Sequence, residues 1–225
     1  MEKFALRLAL FISLFVLVCG SSFGMMLSQN GNTNYVIVIA RDCVITERTA
    51  ANELQSYLNQ ITGAFFPINY IDEIPPTSKK IVIGINDLLE ESFPDFPVVD
   101  LKQDGIFIKT VDNNLYLAGG RPRGCLYAVY TFLEDYIGCR WWTSSASYIP
   151  DIPSLEIDNI DKVYVPPFSY REAFYRDIIN NEVFSTKLKN NGHHMHIGEG
   201  YGGHYIILGF VHTFDKMLPV SDYFV

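Results

Sequence analysis

The chain has 225 residues, 48% of them hydrophobic, and a formal net charge of −8. That length accommodates one domain and part of a second. The acidic balance excludes a nucleic-acid partner, which needs a basic face against phosphate. There is no internal repeat and no low-complexity tract.

The N-terminus has the layout of a secretory signal. Lys3 and Arg7 precede an apolar run from Leu8 to Val18, and the small residues Gly20, Ser21, Ser22 and Gly24 follow. The run is shorter than the about 20 residues that span a bilayer. A signal peptide is therefore expected over residues 1–24, which implies a secreted or periplasmic protein. Cys19 ends the run and opens a lipoprotein reading. Val18 stands where that reading wants a small residue, so cleavage and release is the leading expectation. Residues 25–34 are polar and are expected to form a loose leader.

Tyr35 to Ala40 is an unbroken apolar run, the pattern of a strand buried on both faces. Arg41-Asp42-Cys43 turns the chain, and Thr46 is expected to cap a helix from Glu47 to Ile61. Ala50, Ala51, Leu54, Leu58 and Ile61 form its inner stripe, and Gly63 ends it. Strands are expected over 66–71 and 80–85, with Gly84 marking a close backbone approach. Residues 86–101 read as a loop with one helical turn. A hairpin follows, with strands over 105–110 and 115–118 joined by Asp112-Asn113-Asn114.

The stretch from Gly119 to Trp142 predicts a glycine turn, a helix with Pro122 at its first position, and Gly138 as its left-handed cap. Leu126, Val129, Leu133 and Tyr136 mark one buried stripe. A short strand is expected at 155–157. Pro166-Pro167 separates an α/β domain over 35–165 from a second unit over 166–225. In that unit, strands are expected over 168–174 and 205–211 and a helix over 180–188. Roughly 60 residues supply only the first strands of an α/β barrel, which takes about 250, so a truncated barrel is the expectation.

The residues that could carry chemistry are few. Gly119-Gly120-Arg121-Pro122-Arg123-Gly124 opens a helix as phosphate loops do. No Lys-Ser/Thr follows it, and Pro122 lacks a donor, so it reads as a tight turn. No catalytic residue, cofactor or metal is assigned. After the signal, Cys43, Cys125 and Cys139 form an odd set. Cys125 and Cys139 sit about 20 Å apart along one helix. A Cys43–Cys139 bridge and buried free thiols both stay open. Trp141 and Trp142 have the ring faces that stack on sugars, with packing past a helix end as the favoured alternative. All five histidines fall between His193 and His212. His194 and His196 share a side if extended, and imidazoles there would bond substrate hydroxyls. A metal site including Glu199 is the weaker reading. Tyr170-Arg171-Glu172 reads as a barrel-strand site or as an interdomain ion pair. Neither Glu182 nor Glu199 has evident geometry to pair with Glu172 for glycoside chemistry, which needs facing carboxylates about 5–9 Å apart.

The segments ERTAANELQSYLNQITG (47–63), IVIG (81–84), DGIFIKT (104–110), LYLAGGRPRGCLYAVYTFLEDYIGCRWW (115–142) and PPFSYREAF (166–174) resemble the N-terminal region of α-glucuronidase-like glycoside hydrolases. That region precedes the barrel in family 67 and is similar to the N-terminal domain of family 20 hexosaminidases. The tail from Asn190 is similar to bacterial secreted proteins with a domain of unknown function. The resemblance implies a small mixed sheet with helices on one side, then the start of a (β/α)8 barrel whose catalytic carboxylates lie on later strands. It places Arg171 where family 20 relatives hold a sugar, with Glu172 standing where they have a small residue. By position it places His194, His196 and His212 along a carbohydrate site. It implies a non-catalytic part of a secreted enzyme of polysaccharide degradation, with a carbohydrate-binding or surface glycan-assembly module as the alternative.

Overall fold

The computed structural model describes residues 24–209, 214–219 and 221. The expected signal peptide up to residue 23, with Cys19, and the candidate His212 lie outside the described residues. The fold is mixed α/β, as expected. Strand β1 (Met25–Met26) leads into β2 (Tyr35–Ile39), α1 (Ile45–Thr62), β3 (Ile68–Tyr70), β4 (Lys79–Ile83) and α2 (Asp87–Ser92). The hairpin β5 (Ile106–Val111) and β6 (Asn114–Gly119) precedes α3 (Gly124–Phe132), which widens into a π-helical turn over Leu133–Ile137. Four short strands follow: β7 (Arg140–Trp141), β8 (Ser147–Tyr148), β9 (Glu156–Ile157) and β10 (Asp161–Tyr164). The helices α4 (Arg176–Ile179), α5 (Glu182–Lys187) and α6 (Phe214–Met217) come last.

Six strands form one sheet in the order β10-β5-β6-β4-β2-β3. The four from β6 to β3 are parallel, while β5 and β10 add antiparallel. The inner parallel strands β2, β4 and β6 carry runs of Ile, Val and Leu, the pattern of strands covered on both faces. Asp112 and Asn113 turn the hairpin with φ of 50° and 58°, values that Asp and Asn tolerate better than most residues. The inner stripe of α1 is fully buried: Ala50, Ala51, Leu54, Leu58 and Ile61 are each 0% exposed. Gly63 (φ 73°) and Gly138 (φ 96°) end their helices in the left-handed conformation, as expected.

Several expectations fail for identifiable reasons. The leader is not loose: β1 pairs with β9, and Leu27 and Gly31 donate backbone bonds to Leu155 and Pro153. The apolar Met25 and Leu27 inside the polar stretch anchor it in the core. Thr46 does not cap α1. Val44 is the cap residue, its N–H donating to the Glu47 carboxylate (3.2 Å), and Thr46 lies buried in the first turn. Helix α3 begins at Gly124 rather than Pro122, because the N–H groups of Arg123 and Gly124 are drawn to the Gln103 carbonyl. It has no single buried stripe. Every residue from Gly124 to Phe132 is buried between the sheet, α1 and α5, while Tyr136 is exposed. Helices do not cover only one face: α2 and Phe93 and Phe96 close the other over Val82, Phe107 and Tyr116. The three described cysteines are free thiols, so no Cys43–Cys139 bridge forms.

The largest departure lies after Pro167. Residues 168–175 and 205–209 form no strand, so no barrel strand is present among the described residues. Instead Ile178, Phe184, Met195 and Ile197 are buried in the same cluster as α1 and α3. No described helix is long and apolar enough to cross a membrane.

Candidate functional site

The site is assembled where the segment after Pro167 meets the first turn of α3. The glycines of that turn serve backbone contact. A Cβ on Gly120 would sit 1.9 Å from the Lys102 carbonyl oxygen, and one on Gly124 2.2 Å from that of Gly105. This contact brings Asp104, just ahead of β5, beside Arg123. Both are buried, and the Arg123 Nε donates to Asp104 Oδ1 at 2.5 Å. Arg123 also donates to Gln103 Oε1 (2.8 Å) and to the Gly202 carbonyl (3.3 Å), so it tethers the C-terminal loop.

Asp104 Oδ2 faces the other way. It accepts from Arg171 Nη1 (3.2 Å) and Asn191 Nδ2 (3.0 Å). Arg171 donates further to the carbonyls of Phe168 (2.7 Å) and Lys189 (2.8 Å), and its guanidinium lies 5.7 Å from the Tyr127 ring. Its Nη2 is buried with no partner among the described residues. One buried carboxylate thus binds two guanidiniums and an amide. Such a group is costly to desolvate and depends on every partner staying in place.

The next residue begins a polar surface. Glu172 accepts from the Tyr170 hydroxyl (2.6 Å) and the His194 backbone N–H (3.1 Å), and its other oxygen meets His194 Nδ1 at 2.7 Å. Burial pushes the Glu172 carboxyl up. The bonds from Tyr170 and from the His194 backbone and ring outweigh it and leave the group below the ordinary carboxylate range. Gly192 lets the loop come this close, since a Cβ there would lie 2.2 Å from the carboxylate. His193 Nδ1 accepts from the Ile207 N–H (3.1 Å), and its ring packs edge-on to His194 at 5.1 Å. Phe174 stands edge-on to His194 on the other side, itself 71% exposed.

Of the sequence-predicted residues, Arg171 lies half-buried against Asp104, and His194 lies against the neighbouring Glu172 on the polar surface. His196 is exposed nearby in the chain. The two tryptophans divide. Trp141 is a core residue whose Nε1 donates to the Tyr57 hydroxyl (2.9 Å), edge-on to Tyr57 and Tyr130, so it offers no open ring face to a sugar. Trp142 is 65% exposed. Glu199 is exposed, and among the described residues no group of three or more His, Cys, Asp or Glu could hold a metal ion. Asp104, Arg123 and Asn191 are the residues that sequence reasoning missed. The one signal for Arg123 was its place in the glycine turn that opens α3.

Two cavities flank Asp104 and Pro166. One of about 230 Å³ has an apolar and aromatic floor of Ile106, Tyr127 and Tyr164, with Lys162 and Lys189 among its lining. The other, of about 290 Å³, runs along Gln103, Ser169 and Tyr205. Aromatic faces beside convergent polar groups suit a hydroxylated ligand. Glu172, tied by three bonds, lines neither cavity and belongs to the adjoining polar surface with Tyr170 and His194.

Residues 26–132 match the model of the glycosyl hydrolase family 67 N-terminus. No curated protein matches the chain significantly. Among solved structures, a family GH115 4-O-methyl-α-glucuronidase with specificity for decorated arabinogalactans aligns with 15% identity and a TM-score of 0.45. That alignment covers 63% of this chain and 18% of the other. The protein CpGH84D aligns with 13% identity and a TM-score of 0.36, covering 60% and 21%. The chain thus spans about a fifth of the length of these structures.

Proposed function

We propose that this chain, whose residues 26–132 match the model of the glycosyl hydrolase family 67 N-terminus, is the non-catalytic, carbohydrate-handling N-terminal part of a secreted glycoside hydrolase. The family match carries the reading. The geometry supports it: Asp104 is committed to two guanidiniums and Glu172 to Tyr170 and His194, which leaves neither poised as half of a carboxylate pair. Secretion is supported by the basic start and the apolar run of residues 8–18. The ligand is an oligo- or polysaccharide bound beside Arg171, His194 and Phe174.

Two measurements test this. The purified chain should show no turnover of aryl glycosides or glucuronoxylan oligosaccharides, and turnover would overturn the non-catalytic reading. Calorimetry against a glycan panel should show weak binding that is lost in His194→Ala. The exposed aromatic rings of Phe174 and Tyr175 favour a second reading, a binding or surface glycan-assembly module that acts without a hydrolase partner. Tight binding by the chain alone would favour it.

A further inference from the structure

A separate cleft, sharing no lining residue with the cavities above, opens at the carboxyl edge of the parallel strands. The chain runs from β2 outward to β3, then crosses back to β4 on the other side of β2. The ends of β2 and β4 therefore diverge at a topological switch point, where open α/β sheets receive ligands. A cavity of about 420 Å³ lies there, lined by residues that include Arg41, Asp42, Asp72, Asp87, Glu90 and Arg121. Its volume falls within the range of small-molecule sites.

The wall of this cleft is built with care for shape. Gly84 turns the chain at the end of β4 with φ 84°, and a Cβ there would lie 2.6 Å from the Glu47 carboxyl carbon. Glu47, itself 1% exposed, accepts from the Ile85 N–H (3.2 Å) and from Arg121 Nε (3.0 Å) and Nη2 (3.1 Å). This fixes Arg121 over the cleft. Arg41 is fixed from the opposite side by Asp72 and Glu73, each at 2.8 Å, and lies over the Tyr70 ring at 4.5 Å.

The lining chemistry selects among ligands. Four carboxylates face two guanidiniums, which disfavours an anion. A ligand carboxylate would also have to displace the acids that both arginines already hold. No group of three or more metal-ligating side chains is positioned for a cation among the described residues. A hydroxyl needs neither vacancy nor net charge: it donates to a carboxylate's spare lone pair and accepts from a remaining guanidinium N–H. Adjacent hydroxyls match an alternation of the two. We propose that this switch-point cleft binds a neutral polyhydroxylated small molecule, of the size of a monosaccharide, through Asp42, Asp87 and Arg121.

The inference does not depend on the function proposed above. Saturation-transfer NMR with methyl α-D-glucopyranoside and with D-xylose tests it, with inorganic phosphate, glycine and magnesium added as competitors for the sugar signal. Wild type should bind the neutral sugars with a Kd of about 1 mM, a strength ordinary for few hydrogen bonds. Asp42 and Asp87 are exposed. The variant Asp42→Asn/Asp87→Asn should therefore keep the wild-type melting temperature and lose at least about tenfold in affinity, or 1.4 kcal/mol. His194→Ala should leave this binding unchanged. The proposal is overturned by absence of saturable binding, by preferential binding of phosphate, glycine or magnesium, or by loss in His194→Ala with retention in the double variant.

Discussion

Residues 35–165 and residues 168–209 share one interior but are held in it by different forces. The first region contributes strands and helices whose apolar residues recur at regular spacing, and its burial is spread over dozens of side chains. The second contributes four large buried apolar side chains, Ile178, Phe184, Met195 and Ile197, and follows an irregular path outside its two short helices α4 and α5. What fixes that path is polar: Arg123 to Gly202, Arg171 to Phe168 and Lys189, Asn191 to Ser169, all converging on Asp104. The two regions therefore fail differently. Distributed apolar burial loses stability in proportion to the atoms removed. A convergent buried charge network loses most of its hold when its centre is removed.

Asp104→Ala separates the two regions most strongly. It leaves two guanidiniums beside an empty buried position, a change that costs about 3–5 kcal/mol. Denaturant unfolding should show that loss, and hydrogen exchange should place the first opening in residues 168–204 while α1 and the sheet stay protected. Uniform loss of protection would show that the two regions are one cooperative unit held alike. A smaller effect comes from the tryptophans. Trp141→Phe removes the bond to Tyr57 and part of a packed ring, at about 1–3 kcal/mol. Trp142→Phe, at an exposed site, should change stability by less than about 0.5 kcal/mol. Equal effects would contradict the burial assigned to each.

This contrast also explains what was legible in the sequence. The Tyr35–Ile39 strand, the α1 stripe, the Asp112-Asn113 turn and the Gly138 cap follow from local rules, because their residues meet mostly regular neighbours. The uniform burial of α3 was not legible, since it depends on α5, more than 50 residues away, covering the face that periodicity assigned to solvent. Phe168–Phe174 has the alternation of a strand but finds no partner strand. Its backbone and side chains are taken by Asn190, Asn191 and His194 instead. Arg171 and His194 were legible as polar residues in unusual company. Asp104 was not, because a single Asp before a strand looks like any turn residue until two arginines converge on it from residues 123 and 171.

The finest test acts within the second region through pH. Glu172 has its carboxyl below the ordinary value of 4.5 in the folded protein, because the bonds from Tyr170 and His194 outweigh the upward push of burial. A depressed folded value means that its contribution is fully present above 4.5 and is lost as pH falls through the lower folded value. Tyr170 titrates in the opposite sense. Burial, and then its bond to Glu172, raise it above its ordinary 10.0, so its contribution is present below 10.0 and is lost as pH rises through the raised value. The Tyr170–Glu172–His194 contact should therefore hold the loop across the neutral range and loosen at both extremes. Hydrogen exchange at the His194 amide, which donates to Glu172, reads this directly. Protection should fall in acid before the amides of β2 and β4 respond, and Glu172→Gln should abolish the acid step. An acid step that survives in Glu172→Gln would show that this carboxylate is not its source.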